Sequence, residues 1–137
     1  MPRYRIVPHT ADVGIAAAGA TLEEAFENAA FGMFDLTFDL SGVGGLVEVE
    51  VEAEGATPGD LLVAWLSALL AEGEVRGLAL SRFRVESLGE GRLRGRAACS
   101  ASAGLELRGP PVKAVTYHDL AVEEVPGGWE VRVIFDV

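Results

Sequence analysis

Apolar positions recur at two different periods along this chain. "RYRIV" (residues 3–7) alternates and predicts a first strand. "VGIAAAG" (13–19) resumes strand character, so His9, Thr10 and Asp12 occupy a turn or bulge between the two. "ATLEEAFENAAFGMFDLTF" changes to the helical period: Leu22, Ala25, Phe26, Ala29, Ala30, Met33 and Phe34 fall on one face. Thr21 is placed to cap that helix, with Glu24 three residues on to complete a capping box. "GLVEVEVEAEG" alternates strictly, with Val47, Val49, Val51 and Ala53 on one face and Glu48, Glu50, Glu52 and Glu54 on the other. "TPGDLLVAWLSALLAEG" predicts a second helix, with Thr57 as cap, Pro58 at the first position and Leu61, Leu62, Trp65, Leu66, Leu69 and Leu70 as its apolar stripe.

From Leu78 the period returns to two. "LALSRFRVESL" and "RLRGRAACSAS" form a hairpin around residues 89–91, and "PPVKAVTYHDLAVEEV" and "WEVRVIFDV" form a last one around "PGG". Strands and helices are mixed without regular βαβ alternation. The pattern predicts an α+β fold in one domain, residues 1–137, with two helices packed on a mostly antiparallel sheet.

Charge narrows the partners. The chain of 137 residues carries a formal net charge of −10, which opposes binding to phosphate backbones and predicts no direct nucleic-acid binding. Arg82, Arg84, Arg92, Arg94 and Arg96 gather in one hairpin and would be the exception, a local basic ribbon. The simpler reading makes them exposed charges with Glu neighbours. The Glu row at 48–54 has the same two readings: a metal surface, or a solvated face that discourages other strands. Cys99 stands alone, so no intramolecular disulfide forms, in keeping with a reducing cytoplasm. No stretch reaches the length of a membrane helix and no apolar leader is apparent, which predicts a cytoplasmic protein away from membranes.

Three stretches resist a purely architectural reading: His9-Thr10-Ala11-Asp12; "VKAVTYHDL", with Lys113, Tyr117 and His118 in one strand; and "VIFDV", with Asp136 beside the α-carboxylate of Val137. If Asp12 lay beside Asp136 and Val137, three carboxylates would converge. Crowded like charges call for a cation between them, and a hard one such as Ca²⁺ or Mg²⁺ prefers oxygen ligands. Lys113 could serve instead as counter-ion. Alternatively, Asp12 is an Asx turn and Asp136 a solvated strand end. A further possibility is a stand-alone metal-dependent phosphoester hydrolase using Asp12, Asp136 and His9 or His118. Against it, no nucleophile–base pair, phosphate-binding glycine loop or zinc spacing is present.

These odd stretches, "PHTADVGI", "TLEEAFENAAFGMF", "DLLVAWLSALL", "LSRFRV", "VKAVTYHDL" and "VIFDV", taken together and in order, resemble the archease family over essentially the whole chain. The resemblance implies a compact α+β domain that is not an enzyme. It implies an accessory protein of the RtcB-type tRNA-splicing ligase, which joins RNA 3′-phosphate or 2′,3′-cyclic phosphate ends to 5′-hydroxyl ends. The partner guanylylates its own histidine with GTP and Mn²⁺, and archeases promote that step and multiple turnover. The family's metal ligands map onto Asp12, Asp136 and Val137, with calcium the usual ion and Mg²⁺ or Mn²⁺ as other candidates. The lysine needed for ligase activation maps onto Lys113, alongside Asp12 and Asp136. His9, Thr10 and His118 are candidates for supporting that metal set. "SAGLELRGPPVKA" looks shorter than the loop many members carry.

Overall fold

The elements run β1 (Tyr4–Val7), β2 (Val13–Gly19), α1 (Leu22–Asp35), a 3₁₀ turn (Leu40–Gly42), β3 (Val47–Glu54), α2 (Pro58–Arg76), β4 (Leu78–Gly89), β5 (Arg92–Ala101), β6 (Ala114–Val125) and β7 (Gly128–Asp136). They are taken from a computed structural model that describes residues 3–7, 12–45 and 47–137. His9 and Thr10 lie outside the described residues.

Both helix starts form as the sequence predicts. Thr21 Oγ1 accepts the Glu24 N–H at 3.1 Å, and Glu24 Oε1 accepts the Ala20 N–H at 3.1 Å. Thr57 Oγ1 accepts the Asp60 N–H at 3.1 Å. Each such cap contributes about 1 kcal/mol. Helix α2 continues to Arg76 and stops at Gly77, whose φ of 63° is left-handed and suits glycine.

The strands make two antiparallel sheets rather than one. The first has the order β1-β2-β7-β6, the second β3-β5-β4. The reason lies in the helices. Helix α2 buries Leu61, Leu62, Val63, Trp65, Leu66 and Leu69, an arc too wide for a single sheet to cover. It packs on β3 and β6, and α1 packs on β2 and β4, so each helix touches both sheets. Trp65 is the largest fully buried side chain. Its indole N–H donates to the Phe26 carbonyl at 3.1 Å, and its ring lies over Gly95 of β5, where a Cβ would come within 2.6 Å.

Candidate functional site at the end of the first sheet

The two ends of the chain meet in the first sheet. β2 and β7 pair antiparallel from Val13↔Phe135 to Gly19↔Trp129. Ile15, Val133 and Phe135 are fully buried and fix that register, because a one-residue slip would turn them out of the core. Asp12 immediately precedes Val13, and Asp136 immediately follows Phe135. The register therefore carries both aspartates to the same end of the sheet. Asp136 is exposed and Asp12 half-buried. β6 brings in the third strand: Ala114 is the partner of Asp136, and the Lys113 N–H donates to the Asp136 carbonyl at 2.7 Å. Asp12, Lys113, Asp136 and Val137 thus gather where three neighbouring strands begin or end.

The arrangement around Lys113 departs from simple alternation. Lys113 precedes β6 rather than lying within it. Val112 is buried, Lys113 and Ala114 are both exposed, and Val115 is half-buried. Among the described residues no carboxylate lies within ion-pair distance of the ammonium, so Lys113 is not the counter-ion to Asp12 or Asp136 in this arrangement. Nor does Lys113 share one regular strand with Tyr117 and His118. The ladder with β7 breaks between Thr116 and Ala121, and residues 117–120 form a bulge opposite Val133, with Leu120 packed on the core. Thr116 starts the bulge by donating from Oγ1 to the Ile134 carbonyl at 2.9 Å and accepting the His118 N–H at 3.3 Å. Asp119 takes a left-handed φ of 49° within it. Tyr117 and His118 are exposed.

One supporting feature had no signal in the pattern of the chain. The segment that delivers Lys113, residues 102–113, is strapped to the end of α1. The Asp39 N–H donates to the Glu106 carbonyl and the Arg108 N–H to the Thr37 carbonyl, each at 2.8 Å, while Thr37 Oγ1 donates to the Pro110 carbonyl at 3.1 Å. Arg108 pairs with Asp35 at 3.2 Å and Asp39 at 3.7 Å. The Tyr4 hydroxyl donates to Asp35 at 2.7 Å, and burial, with that carboxylate beside it, pushes the phenol well above its ordinary range. These partners are more than sixty residues apart for Arg108 and Asp35, which is why no local pattern announces them.

As for metal, two carboxylates on adjacent strand ends are hard oxygen donors of the kind Ca²⁺ and Mg²⁺ prefer. Among the described residues no three His, Cys, Asp or Glu side chains cluster closely enough to hold an ion by themselves. A cation at Asp12 and Asp136 would therefore draw further oxygens from the main chain, with Val137 the neighbour at hand. The donor types fit a hard cation.

The other candidates resolve differently. Arg92, Arg94 and Arg96 stand opposite Glu54, Glu52 and Glu50 in the β3–β5 register and form ion pairs with them at 3.8, 3.5 and 3.1 Å. Arg96 also reaches Glu48 and Glu86. Arg92, Arg94 and Arg96 of the basic ribbon and the acidic row are one ladder, while Arg82 and Arg84 lie on β4, outside it. Cys99 is buried, burial raises its thiol pKa, and its Sγ lies 3.2 Å from the Val47 carbonyl, so it behaves as a small core residue. An open cleft of about 710 Å³, lined by Arg3, Glu27, Phe31, Arg82, Phe83 and Trp129 among others, lies at the Gly19 end of β2, away from Asp12.

Sequence and structure comparisons agree with this architecture. The archease protein family model matches residues 4–137. The chain belongs to the archease family. It is similar to the protein archease of Methanosarcina mazei, 38% identical over 98% of this chain and 96% of that one. It is also similar to the protein archease of Pyrococcus furiosus, 36% identical over the full length of both. The solution structure of protein 1598 of Methanobacterium thermoautotrophicum superposes with a TM-score of 0.86 at 35% identity, covering both chains completely. A Thermotoga maritima archease, described as a possible chaperone, shares the fold with a TM-score of 0.64 at 22% identity, over 97% of this chain and 96% of that one. Among the described residues no helix is long and apolar enough to cross a membrane.

Proposed function

We propose that this chain is a non-enzymatic accessory protein that activates an RtcB-type RNA ligase. It promotes guanylylation of the ligase and its multiple turnover in tRNA splicing and RNA repair, a role that places it in the cytoplasm. The observation that carries this reading is the convergence of Asp12, Lys113 and Asp136 at one end of the first sheet, in a chain of the archease family. A bound divalent cation, Ca²⁺ first among the candidates, would neutralise the two carboxylates and order the ends of β2 and β7. Asp12 and Asp136 supply side-chain oxygens to it and Val137 main-chain oxygen.

Lys113 has a different task. Lys113 is exposed, is held through its main-chain bond to Asp136 among the described residues, and is carried by a strap pinned at Arg108 and Pro110. A flexible point charge of this kind suits a transient contact with a phosphate oxygen or a carboxylate of the ligase. The exposed tip presents the charge and the buried register holds its base.

The test is transfer of labelled GMP to the ligase, with and without this protein. Lys113→Ala folds as the wild type does and still binds Ca²⁺, yet no longer stimulates transfer. Lys113→Arg restores part of the effect, because a planar guanidinium differs in shape from an ammonium. Full stimulation by Lys113→Ala would overturn the assignment.

A further inference from the structure

The second sheet ends in an open edge. In the order β3-β5-β4, β3 pairs with β5 along its whole length, from Val47↔Cys99 to Glu54↔Arg92, and has no strand on its other side among the described residues. The remaining edges are blunted. β1 has only 4 residues, and β6 is broken by its bulge. β4 turns its edge to α1, where the Val85 N–H donates to Glu27 Oε2 at 2.8 Å. β3 runs for 8 residues without a bulge.

Its side chains define what could pair with it. Val49, Val51 and Ala53 are buried on the inner face. On the outer face the Glu48, Glu50, Glu52 and Glu54 side chains remain 53%, 70%, 77% and 78% exposed, even though each reaches an arginine on β5. The pairing is one-sided: each carboxylate meets β5 along one flank and leaves the other flank to the open edge. β5 itself shows the chemistry that β3 accepts. It places Arg92, Arg94 and Arg96 at every second position, with Leu93, Gly95 and Ala97 between them on the inner face.

We propose that the open side of β3 docks an extended segment of a partner protein that carries Arg or Lys at every second position. The segment adds as a fourth strand and repeats the β5 pattern on the other flank of the glutamate row. Main-chain hydrogen bonds would supply affinity, and the charge spacing would supply selection. Two other occupants fit poorly. A second copy pairing β3 with β3 would set glutamates against glutamates, which is unfavourable across strands. A nucleic acid would meet a carboxylate row with its own negative charge. The proposal stands independently of the ligase reading.

The probe is an end-blocked peptide, Arg-Val-Arg-Val-Arg-Val-Arg, titrated into the ¹⁵N-labelled protein and followed by NMR. Amide shifts and slowed hydrogen exchange should concentrate on Val47 to Glu54. Affinity should fall by roughly tenfold or more when alternate peptide nitrogens are methylated, and equally for a peptide of the same composition with all arginines in one block. Glu50→Lys with Glu52→Lys should abolish binding; if that variant misfolds, the two altered peptides decide the question on the wild-type protein. Equal affinity for the scrambled peptide would reveal charge attraction alone and overturn the proposal. So would the absence of binding, shifts centred elsewhere, or concentration-dependent shifts along β3 without peptide, which would assign the edge to a second copy.

Discussion

Gly95→Ala is the substitution whose cost the packing specifies most closely. The new Cβ would lie 2.6 Å from two benzo-ring carbons of Trp65 and 2.9 Å from the Arg84 carbonyl oxygen. Ordinary carbon contacts begin near ~3.5 Å, so the ring must retreat by about 1 Å. It has nowhere free to go: Trp65 is fully buried, and its N–H is held by the Phe26 carbonyl at 3.1 Å. Overpacking of this kind costs about 1–3 kcal/mol, and a weakened hydrogen bond adds up to about 1 kcal/mol. Against this, replacing glycine restricts the unfolded chain and returns about 0.4–1 kcal/mol. The clash wins, leaving a net loss of about 1–3 kcal/mol. For a domain of this size that lowers Tm by roughly 4–12 °C. Urea unfolding of the four members of a cycle with Trp65→Phe isolates the cause, because the Arg84 contact is common to both backgrounds and cancels. The alanine penalty should be smaller in the Trp65→Phe background, where the smaller ring leaves room for the Cβ and the Arg84 carbonyl contact is what remains. An equal penalty in both backgrounds, or none in either, would refute the packing argument.

Three further outcomes follow from the charges. Asp136→Asn should weaken Ca²⁺ binding measured by calorimetry by at least about tenfold, since one of the two side-chain carboxylates is lost; unchanged binding would remove Asp136 from the site. The isolated protein should give no gel shift with tRNA at physiological salt, given its net charge of −10. A shift abolished by Arg92→Glu with Arg94→Glu would show that the hairpin arginines outweigh that charge. Glu27 has its pKa raised by burial first and by Glu24 and Glu23 in part. The folded state therefore holds its proton more tightly than the unfolded chain, and stability falls as pH rises from the ordinary glutamate range through the raised value. Glu27→Gln keeps an acceptor for the Val85 N–H and should flatten that part of the pH–stability curve; an unaltered slope would contradict the assignment.

Local rules were legible and long-range ones were not. Thr21, Thr57 and Pro58 mark helix starts because caps act within three residues, and the structure places them as read. Alternation gave β3 its two faces, with the glutamates out and Val49, Val51 and Ala53 in, although Val47 at the strand start is exposed. It could not say that the glutamates face arginines some forty residues away, since that depends on which strands become neighbours. The partition into two sheets was hidden for the same reason. The bulge after Thr116 was hidden too, because "VKAVTYHDL" keeps strand-like composition through the break. At the candidate site, local chemistry left Asp12 between an Asx turn and a ligand, and Asp136 between a frayed end and a ligand. Family resemblance paired them, and the β2–β7 register brings their positions together.

That register explains why the first strand breaks where it does. β1 and β2 pair antiparallel with Val7 opposite Gly14, so the chain reverses between them at the same end where β7 stops. A Cβ on Gly14 would come within 2.6 Å of Ile134 Cδ1 and 3.3 Å of the Val7 carbonyl oxygen, so a larger residue here would make the Ile134 side chain shift. Phe135 is fully buried and Asp136 is exposed, and the two are consecutive in one strand. Val133, Ile134 and Phe135 are buried in succession, so β7 is covered on both faces until Asp136, the first exposed position at its end, and the β2–β7 pairing carries Asp12 to that same end of the sheet. The relative placement of the Asp12 and Asp136 positions is thus set by the apolar residues that hold the register. Ile15, Val133 and Phe135 cannot slip without exposing the core, and so the aspartates cannot drift apart along the strands.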